Sequence, residues 1–153
     1  MNEDYNHYKY IKYKTKYLES RNRNESSRKV RRIESHIVPT YQNEHLSEPW
    51  FTLISMGLKT VEGRRNKGKY KDMKVGDVIE WVNEDFNKRS VMTRVTEKNS
   101  YPTFKEYLET EGLENCLPGI SSITDGLSVY FKYYTPKDEE VFGVVAIKLE
   151  LVG

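Results

Sequence analysis

The stretch Gly57-Leu-Lys-Thr-Val-Glu-Gly-Arg-Arg65 decides the fold of this chain. We interpret it as a turn that enters a β-strand. Side chains alternate between the two faces of a strand, so Thr60, Glu62 and Arg64 fall on one face and Val61 on the other. A hydroxyl, a carboxylate and a guanidinium in one row are unusual for a hydrophobic core. The stretch therefore predicts one wall of a polar cleft.

Lys59 follows Gly57 by two residues, where a flexible turn can present its side chain inward. A buried lysine has a lowered pKa and can act as a base, whereas an exposed one is a cation for phosphate. Glu62 and Arg64 are two residues apart on the predicted strand and can pair with each other. The alternative is that all three form a surface ion-pair cluster worth less than about 1 kcal/mol.

The flanking sequence predicts a mixed α+β domain. Trp50, Leu53 and Ile54 recur at helical spacing, and Ser47 is the expected N-cap of that helix. A glycine-aspartate turn at 76–77 leads into a strand. Further elements are strands at Val78–Val82, Ser90–Thr96 and Val141–Leu151 and helical stretches at 103–111 and 123–134. Without a repeating βαβ pattern, a mostly antiparallel sheet is favoured over a doubly wound one.

Four positions of the opening stretch, Gly57, Lys59, Glu62 and Arg64, resemble the Gly-x-Lys-x-x-Glu-x-Arg signature of the ASCH family. These are small relatives of the PUA RNA-binding barrel. The turn and strand at 75–81, the segment 101–119 and the segment 130–150 also resemble that family. The resemblance implies that residues 41–153 form a PUA-like mixed β-barrel flanked by short helices, with the signature residues lining a ligand cleft.

The resemblance further implies an RNA-binding or modified-nucleoside-binding module. The candidate ligand-binding residues are Lys59, Glu62, Arg64, Arg65, Lys67 and Tyr134. Glu62 is expected to accept a hydrogen bond from a base amino group. The cations from Arg64 to Lys71 either track a phosphate backbone or form a solvated loop. Candidates for stacking on a base are Trp81, Tyr101, Tyr130 and Tyr134, of which one or two are expected to face ligand.

A second interpretation is enzymatic. One branch of the family removes acetyl from N4-acetylcytidine, and this chain is similar to it at Lys59, which would activate a threonine three residues later. Here that position holds Glu62, and Thr60 would need a different geometry. The assisting downstream carboxylate would be Glu111 or Glu114. A small hydrolase of the amidohydrolase or ribonuclease type is therefore the alternative function.

Positive charge is concentrated before the predicted domain. Residues 1–37 hold ten Lys/Arg and five Asp/Glu, a net +5, whereas the remainder holds 15 and 18, a net −3. We predict a basic N-terminal extension over 1–40, helical or disordered, with a linker at 21–32. Its Tyr10, Tyr13 and Tyr17 form one helical stripe beside lysines, suited to nucleic acid or to packing against the domain. Residues 5–18 are also a candidate surface for a protein partner. The opening resembles Tyr/Lys-rich starts of proteins from giant DNA viruses.

Composition also bounds the class of protein. A single cysteine, Cys116, excludes an internal disulfide, and we expect it to be a buried thiol. Three scattered histidines do not predict a metal site, and no cofactor is expected. No apolar run reaches the length of a membrane span, and no signal peptide is expected. We therefore expect an intracellular protein, in cytoplasm or nucleus, or in a host cell or virion if viral.

Overall fold

The structure is a computed structural model and describes residues 11–16, 37–85 and 87–153. The chain divides into two compact units, residues 1–38 with Gly153 and residues 39–152. In the first unit, residues 11–16 form helix α1. Tyr10, Tyr17 and the linker predicted at 21–32 lie outside the described residues. No helix in the described ranges has the length and apolar character needed to cross a bilayer.

The second unit contains the sheet and the remaining helices. Its strands are β1 (Tyr41–His45), β2 (Val61–Arg65), β3 (Val78–Asn83), β4 (Arg89–Tyr101) and β5 (Val144–Leu151). Its helices are α2 (Trp50–Ser55), α3 (Lys69–Asp72), α4 (Phe104–Glu111), α5 (Leu113–Cys116), α6 (Ile123–Tyr130) and α7 (Pro136–Phe142).

Within the described residues, the five strands form one sheet in the order β1-β3-β4-β5-β2. Strand β1 runs parallel to β3, and every other neighbouring pair is antiparallel. The sheet curls into a half-barrel, and β1 and β2 are its two edge strands. This arrangement, with short helices around it, confirms the predicted mixed and mostly antiparallel α+β barrel.

Strand β5 separates two hydrophobic cores. Val145 and Ile147 pack into a first core that contains Trp81, while Val144 and Ala146 pack into a second one under helices α4 to α6. The division follows from the two-residue period of a strand, which sends successive side chains to opposite faces. Apolar residues at four consecutive positions therefore fit a strand that is buried on both faces.

The same alternation governs β2, which pairs with β5. Val61 packs into the second core, whereas Glu62 lies opposite Ile147 and Arg64 opposite Val145, on the side of the first core. The predicted alternation of polar and apolar side chains along this strand is confirmed. It brings two charged side chains to the inner face of the half-barrel at its edge.

The predicted strand Val141–Leu151 is wrong at its start, because helix α7 extends to Phe142. The helix begins with a reciprocal capping box, in which the Asp138 N–H donates to Thr135 Oγ1 at 3.2 Å and the Thr135 N–H donates to Asp138 Oδ2 at 2.8 Å. Pro136 suits the first helical turn. These local hydrogen bonds outweigh the β-branched pattern.

The predicted N-cap of helix α2 is also wrong. The cap position is Pro49, and the Glu48 carboxylate accepts hydrogen bonds from the Thr52 N–H at 3.2 Å and from Thr52 Oγ1 at 2.8 Å. Ser47 instead lies 3.2 Å from the Tyr133 hydroxyl. The serine therefore connects the approach to α2 with the turn after α6.

Candidate ligand-binding site

A cavity of about 160 Å³ opens between the two edge strands of the half-barrel. The end of β1, the start of α2, strand β2, and α6 with its following turn surround it. Its lining residues are His45, Leu46, Ser47, Trp50, Lys59, Glu62, Gly63, Arg64, Leu117, Val129, Tyr130, Tyr133 and Tyr134. Lys59, Glu62 and Arg64, called here the motif triad, are thus brought to one concave and partly buried place.

Lys59 is buried, with 2% of its surface exposed, and its ammonium has three partners. It donates to the carbonyl oxygens of Val61 at 2.7 Å and Cys116 at 2.5 Å, and it pairs with Glu62 Oε2 at 2.9 Å. A lysine ammonium has three N–H donors, so these contacts account for all of them. Lys59 therefore ties β2 to the end of α5 and has no N–H left for a ligand in this arrangement.

Glu62 is held between two cations. One carboxylate oxygen faces Lys59, and the other accepts from Arg64 Nε at 2.8 Å. Burial raises the pKa of the Glu62 carboxyl, but the charges of Lys59 and Arg64 outweigh burial and hold the pKa below its usual value of 4.5. The carboxylate is therefore ionised at neutral pH, and the triad carries a net charge of +1.

Arg64 spans the gap between the edge strands. Its Nη2 donates to the carbonyl of His45, the last residue of β1, at 3.2 Å. Its guanidinium carbon lies 5.1 Å from the ring centroid of Tyr70 and 5.3 Å from that of Trp81, within the range of cation–π attraction. These contacts, together with Glu62, fix the guanidinium in position.

Part of the Arg64 guanidinium is open. Its Nη1 has no hydrogen-bond partner among the described residues, while Nε and Nη2 each have one. Every fully buried side-chain nitrogen or oxygen in the described residues does have a partner, so Nη1 must be exposed to solvent. Since the side chain lines the cavity and is 17% exposed, Arg64 is the member of the triad with free donors.

Aromatic side chains form much of the rest of the cavity wall. Tyr134 and Tyr130 stack on Phe104 with ring centroids 5.3 and 4.5 Å apart, and the Tyr130 hydroxyl lies 2.9 Å from that of Tyr107. A Cβ at Gly63 would lie 2.6 Å from the Tyr107 ring, so glycine is needed there. Of the four predicted stacking residues, Tyr130 and Tyr134 line the cavity.

The other two predicted stacking residues lie elsewhere. Trp81 is completely buried, and its indole N–H donates to Thr93 Oγ1 at 2.9 Å. The Tyr101 hydroxyl donates to the Glu111 carboxylate at 2.6 Å, outside the cavity lining. Burial raises the pKa of Tyr101 to about 12, and the contact with Glu111 acts in the same direction.

The two candidate downstream carboxylates are not brought to the cavity. Glu111 is buried, and its carboxylate also accepts from Asn99 Nδ2 at 2.9 Å and lies 3.6 Å from Lys148 Nζ. Glu114 is exposed on α5. Neither residue lines the cavity that holds Lys59.

The cations that follow the triad do not line the cavity, and this includes the predicted ligand-binding residues Arg65 and Lys67. Arg65 pairs with Asp138 at 2.5 Å, and its guanidinium lies 5.8 Å from the Tyr134 ring. Lys67 lies 4.8 Å from the Phe142 ring and has no carboxylate partner among the described residues. Lys69 pairs with Glu44 at 2.5 Å, which removes it from the set of free cations.

Two site residues carried no clear indication in the sequence. Tyr70 covers Arg64, and its hydroxyl donates to Glu44 Oε2 at 2.8 Å. Burial raises the pKa of Tyr70, so the phenol is protonated at neutral pH and can donate this bond. Glu44 is itself buried on β1. Because β1 is mostly polar, its sequence does not indicate that Glu44 is buried; that follows only from the pairing of the strands.

Cys116 is a free, buried thiol, as predicted. Burial raises its pKa to about 11, so the thiol is protonated at neutral pH. No group of three or more His, Cys, Asp or Glu residues in the described ranges is placed to hold a metal ion.

The comparisons with known proteins agree with this architecture. The ASCH domain model matches residues 45–153. The crystal structure of hypothetical protein PH0355 is 37% identical over 74% of this chain and all of that chain, with a TM-score of 0.66. The solution NMR structure of protein PF0455 from Pyrococcus furiosus is also 37% identical, over 74% of this chain and 98% of that one, with a TM-score of 0.61. No curated protein matches the sequence.

These matches define a small PUA-like domain, of the kind broadly linked to RNA binding. The chain belongs to the ASCH domain family.

Proposed function

We propose that the cavity binds one base of a single-stranded RNA, or a modified nucleoside, with Arg64 as its main polar contact. The observation that carries this proposal is the combination of a fixed, partly open guanidinium and an aromatic wall in one cavity. Bases splayed out of single-stranded RNA are recognised in this way, by stacking on aromatic rings and by hydrogen bonds to their edges.

The size of the cavity supports a small flat ligand. Its volume of about 160 Å³ is below the ~300–1,000 Å³ of pockets for drug-sized molecules, so it suits a single base rather than a longer segment. Tyr134 is the proposed stacking residue, because it lines the cavity and its ring is held by stacking on Phe104.

The remaining predicted residues have supporting roles in this proposal. Lys59 and Glu62 position Arg64 and do not themselves grip the ligand. Lys67 lies beside Phe142 without a carboxylate partner among the described residues, so it can attract a phosphate that flanks the bound base. Arg65 lies beside Tyr134 and can do so through the N–H groups that Asp138 does not engage. Residues 1–37 add nonspecific attraction to phosphate through their net charge of +5. The proposed partner is intracellular RNA.

The contacts give no support to the hydrolase alternative. The Lys59 ammonium has no lone pair, so it could accept a proton from a nucleophile only after losing one of its three N–H protons and with it one of its three partners. Neither Glu111 nor Glu114 faces it across the cavity. A binding module is therefore the function that the geometry favours.

The test measures the affinity of the full chain for a fluorescently labelled, single-stranded RNA nonamer by anisotropy. Arg64→Ala removes charge-assisted hydrogen bonds worth about 1.5–3 kcal/mol, so affinity should fall by roughly 10- to 150-fold. Arg94→Ala is the control, because it removes the same charge from a side chain that is 43% exposed and lies 4.0 Å from Glu150, outside the cavity lining. It should change affinity far less than Arg64→Ala.

A second variant guards against misfolding of Arg64→Ala. Tyr134→Leu leaves the motif triad intact but removes the stacking surface, worth about 1–3 kcal/mol per base, so affinity should fall by roughly 5- to 150-fold. Thermal unfolding of each variant is recorded alongside. If the full chain does not bind RNA, or if both cavity variants bind as well as Arg94→Ala, the proposal is refuted.

A further inference from the structure

We propose that the cavity selects a base edge that presents two adjacent hydrogen-bond acceptors, as guanine does with O6 and N7 and cytosine does with O2 and N3. This inference rests on the proposed function, because it names which bases the cavity takes. It follows from a count of the hydrogen-bonding groups that the motif triad leaves available.

The available groups of the triad are donors. An arginine side chain has five N–H groups. In Arg64, Nε–H is bonded to Glu62 and one N–H of Nη2 to the His45 carbonyl, which leaves three without a partner among the described residues. These three belong to Nη1 and Nη2, at the end of the guanidinium, where a planar pair of acceptors can be bound through two parallel hydrogen bonds.

The Glu62 carboxylate oxygens keep some lone pairs without a partner, but they are buried between two cations. Each oxygen of the Glu62 carboxylate faces a cation at 2.8–2.9 Å, and the residue is 6% exposed. The expectation that Glu62 accepts from a base amino group therefore competes with two charge-assisted contacts. Adenine places an amino donor beside its N7 acceptor on the major-groove edge. At Arg64, N7 could accept a hydrogen bond, whereas the amino group would face another donor.

Other polar groups of the lining do not reverse this preference. The hydroxyls of Ser47 and Tyr133 lie within hydrogen-bond distance of each other, as do those of Tyr130 and Tyr107. The imidazole of His45 and the hydroxyl of Tyr134 can donate as well as accept. These groups accept as well as donate, so the N–H groups of Arg64 set the preference of the site.

A phosphate group also presents adjacent acceptors, but the surroundings favour a ring. Tyr130, Tyr133, Tyr134 and Trp50 line the same cavity, and the faces of their rings can stack on a flat base but not on a tetrahedral anion. Arg64 would therefore bind the edge of the base, while Arg65 and Lys67, outside the cavity lining, contact the flanking phosphates.

The experiment compares four nonamers that carry eight uridines and one central G, C, A or U, bound to the full chain at constant ionic strength. The G and C oligonucleotides should bind about 5- to 150-fold more tightly than the A and U ones, the range expected for one bidentate arginine–base contact. A central 7-deazaguanine, which lacks the N7 acceptor, should lose most of the advantage of guanine.

Arg64→Lys provides the matched variant, since it keeps the charge but loses the planar fork. It should bring the ratio of G to U affinity close to one, whereas Arg94→Lys should leave that ratio unchanged. Equal affinity for all four oligonucleotides, lowered together by Tyr134→Leu, would overturn the base-edge inference and leave RNA binding standing. Absence of binding to any of them would overturn the proposed function itself.

Competition by inorganic phosphate tests whether Arg64 binds the edge of a base or a phosphate of the RNA backbone. It is added at increasing concentration against a chloride control of equal ionic strength. If Arg64 binds the edge of a base, phosphate should displace the RNA no better than chloride does. Selective competition by phosphate that is lost in Arg64→Lys would show that Arg64 binds the RNA backbone, and the inference would be wrong.

Discussion

Replacing Lys59 by methionine should destabilise the domain severely, because the change leaves a buried carboxylate with one of its two cations missing. Methionine preserves most of the side-chain volume and apolar stem. The Nζ–Oε2 distance to Glu62 is 2.9 Å, and the two side chains are 1% and 8% exposed. Removing one partner of a buried pair costs about 3–5 kcal/mol. Since Glu62 retains Arg64, we expect the lower end, about 3 kcal/mol.

The chain contains a matched control for this substitution. Lys137 and Glu140 are also three residues apart, with a 3.4 Å contact, but their side chains are 75% and 72% exposed. Lys137→Met should therefore cost less than about 0.5 kcal/mol, as exposed helical pairs do.

Thermal unfolding followed by circular dichroism measures both changes. For a domain of roughly 100 residues, 1 kcal/mol corresponds to about 4–8 °C, so Lys59→Met should lower Tm by about 12–24 °C. Lys137→Met should lower it by no more than about 4 °C. If the two variants unfold within a few degrees of each other, Lys59 does not act as the buried anchor described above.

Three further predictions concern acid stability, the extension and catalysis. Burial raises the pKa of Glu62, but Lys59 and Arg64 outweigh it and keep the folded value below 4.5. The stability that ionised Glu62 contributes is therefore complete above about pH 4.5 and is lost as the pH falls through the folded pKa. The urea midpoint of Glu62→Gln should accordingly depend less on pH below about 4.5 than that of the unchanged protein. An equal pH dependence of the two midpoints would count against the pairing. Deleting residues 1–37 should weaken RNA binding and reduce the slope of log affinity against log salt, and an unchanged slope would mean that the segment does not contact phosphate. Purified protein incubated with N4-acetylcytidine should release no cytidine by chromatography, because a carboxylate at Glu62 replaces the hydroxyl nucleophile; turnover that disappears in Lys59→Ala would favour the hydrolase.

Local sequence patterns predicted most of the fold because they reflect local physics. β-Branched runs marked β3, the first part of β4 and most of β5, since these strands are buried on at least one face. The predicted strand at Ser90–Thr96 ended too early, because β4 continues through an irregularity between Val95 and Glu97 to Tyr101. The hydroxyls of Thr103 and Ser122 cap α4 and α6 within three residues of the helix start. Strand β1 was not predicted, because Tyr41–His45 is mostly polar and its pairing depends on parallel contact with β3.

In the candidate site too, contacts between residues close in the chain could be predicted and contacts between distant residues could not. The contact between Glu62 and Arg64 follows from a spacing of two on a strand, and the sequence predicted it. The partners that fix the other groups are distant in the chain, such as the Cys116 carbonyl, which lies 57 positions after Lys59. Likewise, Tyr70 and Trp81 cover Arg64 only after the sheet has curled. No local pattern encodes such contacts.

The site and the closure of the half-barrel share the same side chains. Arg64 donates from one edge strand to the last carbonyl of the other, and Lys59 holds the carboxylate that aligns it. Changes at the motif triad must therefore alter stability and binding together, so a loss of binding there does not by itself identify a ligand contact. Tyr134 lines the same cavity but is not part of that ion-pair chain. Loss of RNA affinity in Tyr134→Leu at unchanged Tm would consequently be the more direct evidence that the cavity is occupied by a base.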